Sequence, residues 1–455
     1  MSDDPRGLSN VLVLCPSHRD RRELEKIAHQ RPLRFHFHDY ASLELEALAA
    51  GLPQENGIAD PLQELSTLVD RFGTRKIHAV ISTDDYPGSA MAAILANRMG
   101  LPGISPVVSL RCQHKYLSRL DQRRLVPDAV PAFTLVDSCR PQAHALSYPI
   151  FVKPLKSFFS IGASRVDSAA NLEGAVREAT LPTQFYRPFN ELLRLYPDLA
   201  RAQIGTQSVI GETFLRGHQC TFEGYVRRGV AHAVGVVDSI FYPGTGSFQR
   251  FEYPSRLSAD VVARMGEIAA RLMQGMEYGE GFFNIEFIID TKSNTAKIIE
   301  VNPRLASQFA DLYEKVDGIN GYNMLLDLAL GKPPERRKGA GRYRMAASCA
   351  LRRFQDALVR GLPSVESLEG LKSRFPDLRV EVLADPGQLL SRSMQDGRSF
   401  RYGILSIGGS DRGEILRDLA HCIREMKFEF EELRAAGKQV IRSNAAQGAE
   451  WPAPD

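Results

Sequence analysis

Cysteine is sparse and unpatterned in this chain. The six cysteines, Cys15, Cys112, Cys139, Cys220, Cys349 and Cys422, include no CxxC pair. That excludes the usual zinc spacing and a disulfide framework, and it sets a reduced, cytoplasmic compartment as the expectation. No apolar run approaches the length of a membrane span. The N-terminus, MSDDPRGLSN ahead of the short run VLVLC, lacks the basic lead-in and the length of a signal peptide. An excess of one charge is also missing: the formal net charge is +3 over 455 residues, too little to expect nucleic acid or an anionic membrane as a partner. There is no repeat at solenoid periods and no low-complexity tract beyond a polar tail, Ser443 to Asp455. What remains, at 44% hydrophobic and 24% charged, is an ordinary globular composition, with length for roughly three domains.

Residues 10–110 alternate strand-like and helical runs: NVLVLCP, RDRRELEKIAHQ, RFHFHDY, then IHAVISTDD, SAMAAILANRMG and LPGIS. Such alternation predicts a parallel sheet with crossover helices. Asp84 and Asp85 end a buried strand, where open α/β sheets bind ligands; capping of the next helix is the competing and preferred reading. His36 and His38 share one strand face, but with no third ligand in view a solvated face is expected. A second unit begins near Gln113, with the basic helix HKYLSRLDQRR and the short strand YPIFVKP. The helix NLEGAVREA follows, then a less regular stretch to Gly205 and the strand-like TQSVIGETFLRG and QCTFEGYVRRGVAHAVGVVDSI. DSIFYPGTGSFQRFEYPS, rich in aromatics, glycine and proline, reads as a long functional loop rather than a packed element. Residues 336–445 predict an α+β cap with strands at YRMAASCAL, RVEVLAD and YGILSIGG, closed by the helix DRGEILRDLAHCIREMKFEFEEL.

The most informative segment is FFNIEFIIDTKSNTAKIIEVNPR, residues 282–304. It predicts a hairpin over 282–290 and 297–302. Pairing symmetric about Ser293 sets Glu286 opposite Glu300, with Cβ atoms roughly 4.5–5.5 Å apart. Glu300, Asn302 and Arg304 then share a face if the strand runs past Pro303. Ile285, Phe287, Ile289, Ile299 and Val301 would form the opposite, apolar face. Two carboxylates in a half-buried sheet need a partner, and an all-oxygen set beside a guanidinium suits Mg²⁺ and the phosphate oxygens that accompany it. Upstream, Lys153 ends a buried strand ahead of a loop containing Ser157, Ser160, Gly162 and Ser164. A lysine there can meet phosphate oxygens while loop N–H groups add donors; a solvated strand end is the plainer alternative. Downstream, Ser307 and Gln308 could reach the same site, while Leu312, Val316 and Leu325 are expected to pack. Arg250 is either a partner for a substrate carboxylate or a surface ion pair, the latter preferred.

Taken in order, Lys115 in HKYLSRL, Lys153 in PIFVKP, the loop SFFSIGAS, GETFLRGHQCTFEG, and NIEF followed by EVNPR resemble the ATP-grasp superfamily over roughly residues 110–335. The resemblance implies an α/β ATP-grasp fold with an N-terminal parallel α/β domain at 1–112. The ATP-grasp domain would span 113–335, with lobes at 113–205 and 206–335. A C-terminal α+β domain at 336–445 and a tail at 446–455 would follow. It also implies an ADP-forming ligase that activates a carboxylate as an acyl phosphate and joins it to an amine. The cofactors would be ATP and Mg²⁺, with Mn²⁺ as a substitute. The partners would be small-molecule acids and amines, and a homodimer is the assembly common in the family. By resemblance, Lys115 and Lys153 contact nucleotide phosphates, helped by Ser160 and Gly162, and Glu212 sits beside adenine and ribose. Glu286, Glu300 and Asn302 carry one or two Mg²⁺ ions, and Arg304 holds the transferred phosphoryl group or the acyl phosphate. Glu223 is either a nucleotide contact or an ordinary cross-strand charge. The alternatives are a biotin-carboxylase-like activity on bicarbonate and a nucleotide-binding regulatory protein. Two departures stand out: the phosphate loop has one glycine, Gly162, and two bulky rings, Phe158 and Phe159, and Gln219 occupies a position usually acidic in the family.

Overall fold

The computed structural model describes residues 7–49, 51, 57–73, 76–142, 144–205, 207–392, 395–396, 399–432 and 442–444. The polar tail expected at 446–455 lies outside the described residues. The chain divides into two compact units: residues 1–236, 256–307 and 320–335 form unit 1, and 237–255, 308–319 and 336–455 form unit 2.

Unit 1 begins with β1 (Ser9–Leu14), β2 (Leu33–His38) and β3 (Ala79–Ile81), a parallel sheet of order β2-β1-β3. The alternation of apolar strands and helices produces this sheet, as expected. Because β2 and β3 lie on opposite sides of β1, the loops after β1 and β3 meet at a topological switch point, the favoured place for a ligand in such sheets. His36 and His38 do not simply face water: His36 Nε2 lies 3.1 Å from Asn10 Oδ1 and His38 Nε2 lies 2.8 Å from Glu64.

A second sheet comprises β4 (Phe133–Asp137), β5 (Ile150–Lys153), β6 (Ser164–Val166) and β7 (Ser208–Thr213), in the order β4-β7-β5-β6. Thr183–Arg194, within the stretch expected to be irregular, is a helix with Pro188 inside it. The proline removes one backbone donor, but Phe185, Phe189, Leu192 and Leu193 all recur on one side and are fully buried, and that burial outweighs the defect.

The third sheet of unit 1 carries β8 (His218–Arg227), β9 (Val230–Phe241, to Val236 in this unit), β11 (Gly281–Asp290) and β12 (Thr295–Asn302), ordered β12-β11-β8-β9. The segment 237–255 falls in unit 2 and is not a loop. The end of β9 turns back into β10 (Phe248–Tyr253), with Glu252 opposite Asp238. Its aromatic residues pack rather than gate: Phe241 and Phe248 stack at 4.8 Å, and Phe251 meets Phe309 edge-on. Unit 2 continues through β13 (Met345–Arg353), β14 (Ala357–Gly361), β15 (Arg379–Val382), the two-residue β16 (Gln395–Asp396), β17 (Ser399–Gly409) and β18 (Glu429–Glu432). The closing helix ends at Glu425, and of KFEFEE beyond it the last four residues become β18, with Phe428 just before the strand and Phe430 within it both in the core.

Candidate active site

The hairpin of β11 and β12 forms with Glu286 directly opposite Glu300, Ile285 opposite Val301 and Asn284 opposite Asn302. Beyond Glu286 the register slips by one residue, so Phe287 pairs with Ile298 and Ile299 is left over. This bulge corrects one expectation. Ile298, not Ile299, joins Ile285, Phe287, Ile289 and Val301 in the core. An extra residue in a bulge frees its backbone from the ladder, and the Ile299 carbonyl instead accepts from Arg119 Nη2 at 2.6 Å and Lys153 Nζ at 3.4 Å.

β8 extends the same face. Thr221 lies opposite Glu286 and Glu223 opposite Asn284. Two polar rows therefore cross three strands: Thr221, Glu286 and Glu300, then Glu223, Asn284 and Asn302. Gln219, two residues along from Thr221, donates to Glu286 Oε2 at 3.2 Å. An acid there would add a third negative charge to the pair; the amide supplies a donor instead. Glu223 is fully buried and accepts from the Ala306 backbone N–H at 2.6 Å, which ties the loop after β12 to β8. Asn302 donates to Asn284 Oδ1 at 2.9 Å, and Asn284 in turn donates to the Arg304 carbonyl at 3.3 Å. β12 stops at Asn302, so Arg304 reaches the cluster from a turn rather than along a continuous strand.

Cations surround these rows. Lys115 opens the helix Lys115–Leu125, which is capped by His114, and its backbone N–H donates to the Leu155 carbonyl at 2.8 Å. Its ammonium meets Glu300 at 3.0 Å. Burial pushes the His114 imidazole down to about 4, so this cap stays neutral. One helical turn on, Arg119 is 1% exposed and grips Glu212 with Nε and Nη2 at 2.8 and 3.0 Å. Lys153 adds a third contact to Glu212 at 3.0 Å. Burial alone would raise the Glu212 carboxyl, but Arg119 and Lys153 reverse this and hold it at about 2. Glu300 behaves likewise: burial opposes its charge, while Lys115 and Lys153 win and keep it below its usual range. Among the described residues Glu286 makes no ion pair, and Arg304, Lys115 and Lys153 pull on it only from further off. Burial and then the Glu300 charge push it up to about 8.

Of the paired aspartates, Asp84 serves the next helix: the N-cap position is Pro87, and Asp84 Oδ2 accepts from the first helical N–H, Gly88, at 2.7 Å, while burial raises it to about 7. Asp85 instead joins the site, with Oδ1 3.4 Å from Arg304 Nε and Oδ2 3.6 Å from Lys156 Nζ. Burial would raise it, yet Lys156 and Arg304 pull it below its ordinary value. Arg119, Asp85 as a site residue, and Lys156 were missed or set aside in the sequence. Arg119 had a visible signal, four residues after Lys115 and so on the same helix face. Lys156, in a loop three residues beyond Lys153, had none.

The structure brings Lys115, Lys153, Glu212, Glu286, Glu300, Asn302 and Arg304 together within unit 1. Ser160 is exposed and Gly162 half-buried, both in the turn after β5, with left-handed φ values of 56° and 71°. A Cβ on Gly162 would lie 2.9 Å from Pro154 Cγ and 3.0 Å from the Glu178 carbonyl, so the single glycine sits where no other residue fits. Phe158 is buried, and Phe159 is 40% exposed. Ser307 Oγ accepts from Arg19 Nη1 at 3.3 Å. Arg250 and Gln308 belong to unit 2, where Arg250 Nε donates to Glu252 at 2.7 Å and Gln308 donates to Ser348 Oγ at 3.0 Å.

Two carboxylates and one amide oxygen are too few to enclose a metal, and among the described residues no group of three His, Cys, Asp or Glu forms one. That donor set suits Mg²⁺, which is bound through one or two carboxylates and completed by water and substrate phosphates. Residues 146–311 match the family model described as the ATP-grasp domain. Similar solved structures cover nearly the whole length. L-amino acid ligase from Bacillus licheniformis aligns with a TM-score of 0.68 at 17% identity, over 92% of this chain and 98% of its own.

The chain has the ATP-grasp fold.

Phosphoribosylglycinamide synthetase from Anaerococcus prevotii (TM-score 0.62, 12% identity, 92% and 99% covered) shares this ATP-grasp architecture. So does a biotin carboxylase from Campylobacter jejuni (TM-score 0.62, 13% identity, 94% and 93% covered). No curated protein matches the sequence. Among the described residues of this ATP-grasp chain, no helix is long and apolar enough to cross a membrane.

Proposed function

We propose that the protein is an ATP-dependent, ADP-forming ligase that activates a small carboxylic acid as an acyl phosphate and joins it to an amine such as an amino acid. One observation carries the reading: Glu286 and Glu300 stand opposed on a sheet face with Lys115 at 3.0 Å from one of them and, among the described residues, no ion pair to the other. An opposed carboxylate pair with one partner is short of positive charge, and Mg²⁺ held by Glu286, Glu300 and Asn302 would supply it. The ion's contribution is neutralisation of the phosphate charge that builds up during transfer.

The remaining steps fall to the chain. Lys115 and Lys153 bind phosphate oxygens, with loop N–H groups around Ser160 and Gly162 adding donors. Glu212, clamped by Arg119, orients Lys153 and offers its carboxylate toward the nucleoside. Arg304 balances charge on the transferred phosphoryl group. The acid's oxygen attacks the γ-phosphorus, ADP leaves, and the amine then displaces phosphate from the acyl carbon. Holding both reactants and excluding water supplies much of the rate. In this reading residues 113–335 hold the catalytic part, and Ser307 serves the small-molecule substrates.

The test is release of phosphate and ADP from ATP and Mg²⁺ in the presence of pooled acids and amines. Phosphate released only with a productive acid–amine pair supports the reading. ATP binding without phosphate release across broad pools would replace it with a regulatory role. Bicarbonate-dependent hydrolysis stimulated by free biotin would replace it with carboxylation.

A further inference from the structure

Lys156 is a buried charge of unit 1 held by one long ion pair, to Asp85. Its side chain is 2% exposed, and among the described residues its ammonium donates no hydrogen bond. The nearest anion is Asp85, at 3.6 Å. It lies over the Tyr86 ring at 5.0 Å and near the Phe189 ring at 6.0 Å. That cage is rigid: the Tyr86 hydroxyl donates to the Phe185 carbonyl at 2.9 Å and accepts from Phe189 N at 3.0 Å. Lysines are almost never this deeply buried without a partner, and an ammonium with its donors unmet is costly to desolvate. The other oxygen of Asp85 faces Arg304 at 3.4 Å. Arg304 is itself loosely held: among the described residues its only other side-chain hydrogen bond goes to the Leu305 carbonyl at 3.5 Å. Asp85 thus spaces two cations whose remaining donors are unspent, beside the switch point between β1 and β3.

We propose that Lys156 and Arg304, held apart by Asp85, form an oxyanion site that takes the acid substrate's carboxylate and retains it as an acyl phosphate. Lys156 is then a substrate-binding residue, and Asp85 a positioning residue that keeps the two cations spread. The inference rests on the ligase reading for the identity of the anion and on the cage geometry for the site.

Acetyl phosphate serves as the probe, measured by calorimetric titration of the full-length protein and, separately, by ATP formation from acetyl phosphate and MgADP. In that back-reaction the phosphorus passes from the acetyl oxygen to an ADP β-phosphate oxygen, and acetate leaves with the electrons of the broken P–O bond. The wild type is expected to bind the probe, and Lys156→Met to weaken it by about tenfold to a hundredfold with MgADP affinity unchanged. Lys156→Arg is expected to recover most of that binding. Methionine matches the length of the lysine stem and suits the aromatic cage, so the fold is expected to survive, checked by its melting temperature. The site is overturned if the wild type does not bind acetyl phosphate, if Lys156→Met binds it as tightly as the wild type, or if acetyl phosphate and MgADP weaken equally. Binding that depends on Lys156 with no ATP formed would keep the site and remove the ligase reading, so the two failures are distinguishable.

Discussion

Both units bury charged side chains, but they satisfy them differently. In unit 2, Glu252 is 2% exposed and is met by Arg250 and Arg412, while Asp311 is met by Lys315 at 3.2 Å and Arg379 at 2.8 Å. Lys315 also reaches Asp377, and Arg379 reaches Glu314. These ions largely neutralise one another, although among the described residues Asp311 Oδ2 accepts no hydrogen bond and burial holds its carboxyl above the usual range. In unit 1, among the described residues, the pairing is incomplete: Glu286 has an amide beside it rather than an ion-paired cation, and Lys156 and Arg304 share one carboxylate at long range. Burial of charge is common to both units. The charges left unmatched are what mark a site.

The comparison is broken most directly at Glu300. Glu300→Gln should lower turnover by at least about a thousandfold, several kcal/mol of transition-state stabilisation, in a protein that still folds, as its circular dichroism spectrum would show. Retained turnover would remove the metal assignment. Arg119→Met should act on the fold instead, costing about 3–5 kcal/mol in urea denaturation because it leaves Glu212 buried with Lys153 alone. A loss below 1 kcal/mol would mean that Glu212 does not depend on the arginine. Arg250→Met in unit 2 should cost less, about 1–3 kcal/mol, since Arg412 still neutralises Glu252, and nucleotide affinity should not change. A stable Arg250→Met variant with a raised KM for the acid would instead make Arg250 a substrate residue.

The smallest effect is the most specific, because two carboxylates of one site should respond to pH with opposite signs. Glu212 is depressed from 4.5 to about 2 on folding, so its contribution to stability is present above its unfolded value and lost as pH falls from about 4.5 through about 2. Glu286 is raised from 4.5 to about 8, so its contribution is full below 4.5 and lost as pH rises through about 8. Glu286→Gln should therefore stabilise the ligand-free protein at pH 8 and have little effect near pH 4. Glu212→Gln should destabilise it at neutral pH and less in acid. Melting curves across pH distinguish these outcomes, and equal shifts for both variants would contradict the electrostatic assignment.

Much of the site was legible because it lies on short-range patterns. The opposed glutamates follow from strand period and a symmetric turn, and Leu312, Val316 and Leu325 pack as their spacing implied. Periodicity failed where tertiary burial overrode a local signal. The stretch up to Gly205 was expected to be less regular, yet the apolar face of the helix Thr183–Arg194 decides despite Pro188 inside it. Glycine and proline near residues 243–246 suggested a long loop, yet the flanking aromatic residues pair as strands. The bulge that exchanges Ile299 for Ile298 could not be read from alternation, because one extra residue inverts the pattern without changing composition.

By itself, the amino-acid sequence determined the chemistry available: two glutamates, an asparagine, an arginine and two lysines in an order that resembles one superfamily. It did so because side-chain type and strand period are local properties. Only the tertiary structure decided which charges neutralise each other. Arg119 and Glu212 are 93 residues apart, and Lys115 and Glu300 are 185 apart. Asp85 and Arg304, at 219, are further apart still. No pattern along the chain states that Arg250 is occupied while Lys156 is not, because the energy of a buried charge depends on what folding sets within a few ångströms of it.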